Sequence, residues 1–175
     1  MGELPPYQPG PVSGRSPYII AHRGISGKAP ENTLASFSLA LQVPGIDMIE
    51  LDVRCSREGE IIVLHDRTLQ RTSTGNGAAR NYTLEELKRF DCGSWFHSSF
   101  AGERIPTLRE VLQRVGKKRW TNIEMKGDFF LRDKDRFVKR VVEAVGECGM
   151  NGHVLFSSFT HDLVGKVRNV NPALS

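Results

Sequence analysis

The stretch from Met48 to Asp66 constrains this chain more than any other. Glu50 and Asp52 alternate with Ile49, Leu51 and Val53. A period of two makes a strand, with acids on one face and aliphatics on the other. A second β-rich run, Ile61 to Leu64, leads into His65, and Ser56-Arg57-Glu58-Gly59 lies between the two. Glycine there suits a tight turn. With Glu58-Gly59 as a two-residue hairpin loop, Arg57 faces Glu60 and Asp52 falls opposite His65. Directly opposed residues share a sheet face about 5 Å apart at Cβ. A parallel pairing would need a crossover of roughly a dozen residues or more. Two acids and an imidazole on a face that should be apolar mark a candidate site.

Strands and helices alternate along the rest of the chain. Tyr18-Ile19-Ile20-Ala21 reads as a buried strand delivering His22-Arg23-Gly24 at its end. Asn32 or Thr33 caps a helix with Leu34, Phe37, Ala40 and Leu41 on its apolar face, ended by Pro44-Gly45. Residues 67–106 form a loop-rich excursion in which Thr83 and Glu86 make a capping-box pattern; Thr107 and Glu110 repeat it. Trp120 to Lys126 is a further strand, followed by a long helix bearing Phe137, Val138, Val141, Val142 and Val145. Strand 154–159 and a helix from Thr160 complete the pattern. Such alternation indicates an α/β protein with a mostly parallel sheet, whose active site gathers at the C-terminal ends of the strands. His22, Glu50, Asp52, His65, Glu124 and Lys126 all sit at or near strand ends.

At 175 residues the chain can bury roughly 70% of its unfolded surface as one domain. That domain spans residues 18–175. Residues 1–17, rich in proline and glycine, read as a disordered or surface-draped lead-in. No run approaches transmembrane length. The formal charge of +4 suits an anionic substrate or a membrane surface only weakly, and no basic cluster interleaves with aromatics, so nucleic-acid binding is not expected. Cys55, Cys92 and Cys148 are odd in number and lack a Cys-x-x-Cys pattern. They read as reduced thiols of a cytoplasmic protein.

Three carboxylates without a cysteine ligand make a hard oxygen site for a divalent metal, Mg²⁺ or Ca²⁺. Two histidines can divide general acid and general base, and Arg23 and Lys126 offer cationic donors to a tetrahedral oxyanion. Together these groups describe phosphoryl transfer or phosphodiester cleavage. Removing an acid from such a cluster relieves repulsion, so Asp52→Ala or Glu124→Ala is expected to weaken metal binding far more than folding. Trp95 and Phe96 are candidates for a wall of the substrate groove, and Glu31 for capping and site support. His97, His153 and His161 have no motif partners and read as structural or surface residues.

Ala21-His22-Arg23-Gly24, Pro30-Glu31-Asn32-Thr33, Glu50-Leu51-Asp52-Val53, Leu64-His65-Asp66 and Asn122-Ile123-Glu124-Met125-Lys126 resemble, in order and spacing, the motifs of the glycerophosphodiester phosphodiesterase family. Gly93-Ser94-Trp95-Phe96, Ile105-Pro106-Thr107-Leu108 and Ser157-Ser158-Phe159 are similar to its later landmarks. The resemblance implies a TIM-type (β/α) barrel, here incomplete with about five of eight strands. It implies metal-dependent cleavage of a small-molecule glycerophosphodiester to glycerol 3-phosphate and an alcohol. His22 and His65 would be the acid–base pair. Glu50, Asp52 and Glu124 would hold the metal, and Arg23 and Lys126 the phosphate. The substrate's own 2-hydroxyl would attack phosphorus, giving a cyclic phosphate that water opens. A lysophospholipase D-like relative acting on lipid diesters, and an inactive fragment or binding module, are the alternatives. Open barrel edges would favour self-association.

Overall fold

The computed structural model describes residues 17–127 and 133–174. The expectation for residues 1–17 therefore lies, apart from Pro17, outside the described residues. The chain runs β1 (Ile20–His22), α1 (Leu34–Gln42), β2 (Met48–Cys55), β3 (Ile61–Val63), α2 (Leu84–Leu87), α3 (Leu108–Val115), β4 (Trp120–Met125), α4 (Lys134–Glu147), β5 (Val154–Ser157) and α5 (His161–Val170). All five expected strands form, but β1 lies at Ile20–His22 rather than 18–21 and only Ala21 of it is buried, because Tyr18, Ile19 and Ile20 face outward. They make one sheet of order β1-β2-β4-β5. Those four run parallel, while β3 pairs antiparallel with the far end of β2. Val53 aligns with Met125 on one side and Val63 on the other, so β3 occupies the β1 side of β2, beyond where β1 ends.

The period-two pattern of β2 and β4 sorts the sheet. Ala21, Ile49, Leu51, Val53, Ile123 and Met125 join the main core with Phe37 and Ala40 of α1, Leu108, Val111 and Leu112 of α3, six apolar residues of α4, and Leu163 and Val167 of α5. Helices thus cover one face, while the other carries Glu50, Asp52 and Glu124. Parallel strands each returned by an outer helix make an incomplete TIM-type barrel.

Local chemistry accounts for the boundaries. The Thr33 hydroxyl accepts from the Ser36 N–H and donates to the Pro30 carbonyl, which fixes the start of α1. Both expected capping boxes form, at Thr83/Glu86 and Thr107/Glu110. Asp133 caps α4 by accepting from the Arg136 N–H. β5 ends at Ser157, two residues earlier than expected. There the Ser158 hydroxyl donates to the Met125 carbonyl and accepts from the Thr160 N–H, turning the chain toward α5. The excursion between β3 and α3 is not mere loop. Ile62, Leu64, Leu69, Ala79, Leu87, Cys92 and Ile105 form a second core of its own, with Tyr82, Leu84 and Phe90 packed against it.

The hairpin register differs from expectation by one residue. Val53 aligns with Val63 and Cys55 with Ile61, and the Leu64 N–H donates to the Asp52 carbonyl at 2.9 Å. Asp52 therefore faces Leu64, not His65. The cause is the turn: Ser56 N–H bonds the Glu60 carbonyl at 2.9 Å, and the Ser56 hydroxyl accepts from the Glu60 N–H at 3.0 Å. The loop holds three residues, Arg57 to Gly59, with Gly59 at φ 86°. A three-residue hairpin calls for a left-handed residue in this last position, which glycine supplies without strain.

Candidate active site

The acidic cluster is made by strand pairing. In the parallel register His22 lies beside Glu50, and Asp52 beside Glu124. One oxygen from each of Glu50, Asp52 and Glu124 falls within 4.8 Å of the others. Lys126, two residues past Glu124 on the same face, places Nζ 2.8 Å from Asp52 Oδ1 and 2.5 Å from Glu124 Oε1. Arg23 comes in from the end of β1, with Nε 3.2 Å from Asp52 Oδ2 and its backbone N–H donating to Glu50 Oε2 at 2.9 Å. His22 Nε2 stands 3.8 Å from Glu50 Oε2, its ring largely exposed.

The backbone is bent to achieve this. Arg23 and Asn32 both hold positive φ, 57° and 58°, a conformation costing a non-glycine residue on the order of 1–3 kcal/mol. Asn32 uses it to donate from Nδ2 to Asp52 Oδ2 at 2.8 Å, while its N–H donates to the Arg23 carbonyl at 3.1 Å. The sequence reading gave Asn32 only a capping role, which Thr33 fills instead.

The carboxylates are not equivalent. Burial and the neighbouring charge of Asp52 push Glu50 up to about 7, with Glu124 adding to the effect and the Arg23 N–H opposing it. Burial also disfavours a charged Asp52, but Lys126, Asn32 and Arg23 outweigh it and hold that carboxyl below its usual range. Glu50 Oε1 is buried with no hydrogen-bond partner. An orphaned carboxylate oxygen beside two further acids fits a hard divalent cation, whose charge would replace the missing donor. Glu50, Asp52 and Glu124 are the residues that would hold it.

His65 reaches the cluster by a relay of ion pairs. Its Nδ1 lies 2.6 Å from Asp66 Oδ1. Arg71 grips Asp66 through Nε at 2.6 Å and grips Glu31 through both terminal nitrogens, at 2.8 and 2.7 Å. Glu31 accepts in turn from Arg23 at 3.1 Å. Arg71 holds Asp66 down to about 2, with His65 helping. Burial alone would raise Glu31, yet Arg71 and Arg23 bring it below its usual range. Glu31 thus bridges Arg23 and Arg71, while the helix cap belongs to Thr33. Asp66 and Arg71 received no role from the sequence, since no periodicity links Arg71 to its partners across the turn.

Trp95 and Phe96 pack edge-on at 5.7 Å, and Phe96 packs likewise on Phe100. The Trp95 indole N–H donates to the Cys92 carbonyl. Among the described residues, no hydrogen bond or ion pair ties them to the acidic cluster. His97 caps a short turn by accepting from the Ser99 N–H, and His153 lies against Trp120 at 5.9 Å.

Residues 22–175 match the glycerophosphoryl diester phosphodiesterase family. The chain is 41% identical over 157 residues to a glycerophosphodiester phosphodiesterase of Caldanaerobacter subterraneus, covering 89% of this chain and 63% of that protein. It superposes with a TM-score of 0.82 on a phosphodiesterase of Oleispira antarctica solved with the product sn-glycerol-3-phosphate. That pair shares 36% identity over 91% of this chain and 64% of the other. A glycerophosphodiester phosphodiesterase of Agrobacterium tumefaciens gives a TM-score of 0.79 at 34% identity, covering 90% and 64%. The chain spans somewhat under two thirds of the length of these relatives.

Proposed function

The chain belongs to the glycerophosphoryl diester phosphodiesterase family, and on that premise we propose that it hydrolyses small glycerophosphodiesters to glycerol 3-phosphate and an alcohol. One observation carries the reading: three carboxylate oxygens within 4.8 Å of one another, ringed by His22, Arg23 and Lys126 at the C-terminal ends of parallel strands. The product complex of the Oleispira antarctica relative supports the choice of substrate.

In this reading Arg23 and Lys126 bind the phosphate, already held by their acidic partners in the geometry they need. A divalent cation, Mg²⁺ or Ca²⁺, held by Glu50, Asp52 and Glu124, supplies Lewis-acid stabilisation of the phosphoryl charge when bound. His65, with Nδ1 turned to Asp66, presents Nε2 for proton transfer; His22 presents an exposed ring beside Glu50. One imidazole takes the proton of the attacking hydroxyl, and the other gives a proton to the leaving alkoxide. Trp95 and Phe96 line the groove. Arg71, bridging the Glu31 and Asp66 carboxylates, positions both catalytic loops.

We place the protein in the cytoplasm as part of this proposal. Its three cysteines are free, and burial pushes the Cys92 thiol up to about 12. No helix of the described residues is long and apolar enough to cross a membrane. Association through the free edges of β1 and β5 is proposed as well.

The test is glycerol 3-phosphate release from a water-soluble diester, with and without chelator. Release that stops on chelation, and falls on the order of 10²-fold in His22→Ala and in His65→Ala, is the expected result. Undiminished release in the chelated protein, or in both variants, overturns the assignment.

A further inference from the structure

The three carboxylates proposed to hold a divalent cation are already attended by two cations of the chain itself. Lys126 places Nζ 2.8 Å from Asp52 Oδ1 and 2.5 Å from Glu124 Oε1, and Arg23 places Nε 3.2 Å from Asp52 Oδ2. Lys126 thus stands on two of the three acids at once. Asp52 is fully enclosed, and the side chains of Lys126 and Glu124 are only 13% and 14% exposed. Solvent and salt screen charges placed there weakly. An ammonium group resting on these oxygens therefore opposes any second cation that approaches them.

Neither cation is firmly bonded to Asp52. Asp52 Oδ1 is buried and takes no directed hydrogen bond, although Lys126 stands beside it. Arg23 Nε is buried and finds no directed acceptor, although Asp52 Oδ2 is close. Asn32, by contrast, holds Oδ2 with an aligned donor at 2.8 Å. Charge rather than direction seats the two cations on Asp52, and each keeps a donor that a tetrahedral oxyanion could take.

The two differ in freedom. Arg23 is anchored by its backbone N–H to Glu50 at 2.9 Å and by Nη1 to Glu31 at 3.1 Å. Lys126 is a compact charge on a flexible four-carbon stem, and its side-chain contacts to acids all lie within the cluster. We infer that Lys126 is a displaceable occupant of the proposed metal site. It holds Asp52 and Glu124 and lowers their affinity for a divalent cation, then passes its donors to a phosphate ester that binds beside it. Cation and phosphate ester consequently bind with positive coupling, each raising the affinity of the other by the same factor. The inference rests on the metal assignment within the diesterase reading above.

Calorimetry tests it with Ca²⁺ as the probe, in the presence and absence of glycerol 3-phosphate, on the wild-type chain and on Lys126→Met. Saturating glycerol 3-phosphate should tighten Ca²⁺ binding to the wild type about tenfold or more. Lys126→Met should bind Ca²⁺ alone about tenfold more tightly than the wild type, and glycerol 3-phosphate should then add no more than about threefold. Circular dichroism checks the fold of the variant, and Lys126→Gln replaces it if Lys126→Met does not fold. Ca²⁺ binding to the variant that is no tighter than to the wild type, or coupling of equal size in both, overturns the inference. So does wild-type Ca²⁺ affinity that glycerol 3-phosphate leaves unchanged, whatever the variants do. Any of these results leaves the diesterase reading to the chelator experiment. A wild-type chain that binds no Ca²⁺ under either condition overturns both the inference and the metal assignment.

Discussion

Glu50 and Asp52 sit two residues apart on one strand, in opposite electrostatic situations. Asp52 is enclosed by Lys126, Arg23 and Asn32, whereas Glu50 has one backbone donor and an orphaned oxygen. The simple expectation that losing any acid of the cluster spares the metal-free fold therefore fails for Asp52. Asp52→Ala leaves two cations and an amide facing an empty, buried space, a loss of about 3 kcal/mol. Glu50→Gln has the opposite sign. The folded carboxyl titrates near 7 and the unfolded one near 4.5, so the folded state binds the proton more tightly. Glu50 contributes its full stability below pH 4.5, and that contribution is lost as pH rises through 7. Metal-free protein should weaken by roughly 3 kcal/mol between pH 5 and pH 8, and Glu50→Gln should abolish the slope. Divalent cation should stabilise the wild type more at pH 8 than at pH 5, because it competes with that proton. Denaturant titrations at the two pH values, with and without cation, check all of this. A flat profile for the metal-free wild type would rule out Glu50 as the buried, repelled acid.

At the scale of elements, the legible parts were those with strong local chemistry. The capping threonines, the period-two strands and the apolar stripe of α4 were all readable, because each depends on residues within one or two turns. The β2–β3 register was not. Glu58-Gly59 satisfies a two-residue loop as well as it satisfies the end of a three-residue one. Only the Ser56 hydroxyl, bonded across to Glu60, selects the latter. One residue of slip moved His65 off the face of Asp52 and left its link to the cluster running through Asp66, Arg71 and Glu31. The loops at the ends of β1 and β2 also differ in tolerance. Gly24 has φ 79°, and a Cβ there would lie 2.2 Å from the Ser36 hydroxyl and 2.8 Å from the Ser36 backbone. Gly59 has φ 86°, but its Cβ would meet nothing nearer than the Arg140 guanidinium at 3.6 Å. Gly59→Ala should cost about 1 kcal/mol for the positive φ alone. Gly24→Ala should cost roughly 3 kcal/mol or more, since helix α1 must shift as well. Comparable losses for the two in chemical denaturation would mean that the β1–α1 loop is not packed as described.

Across the whole molecule, the sheet has one face sealed by helices and one polar face, and it remains open at both ends. That asymmetry was visible in the chain as acids and amines set two apart on strands 50–52 and 124–126. The second core under the excursion was not, because its residues come from β3, α2 and three separate loops with no common period. The open edges have a measurable consequence. Among the described residues β1 pairs only with β2 and β5 only with β4, leaving a row of unpaired backbone groups along each. Near β1 the side chains of Tyr18, Ile19 and Ile20 are exposed, and past β5 Phe159 is 89% exposed. Unpaired edges flanked by apolar side chains recruit other edges, so the 175-residue chain should sediment as dimers or larger species at micromolar concentration. Lysine at a strand edge opposes such pairing by burying charge against charge. Ile19→Lys with Phe159→Lys should therefore weaken association about tenfold or more, without changing the circular dichroism of the monomer. Sedimentation of the unmodified chain as a monomer over the same range would show that these edges are not adhesive.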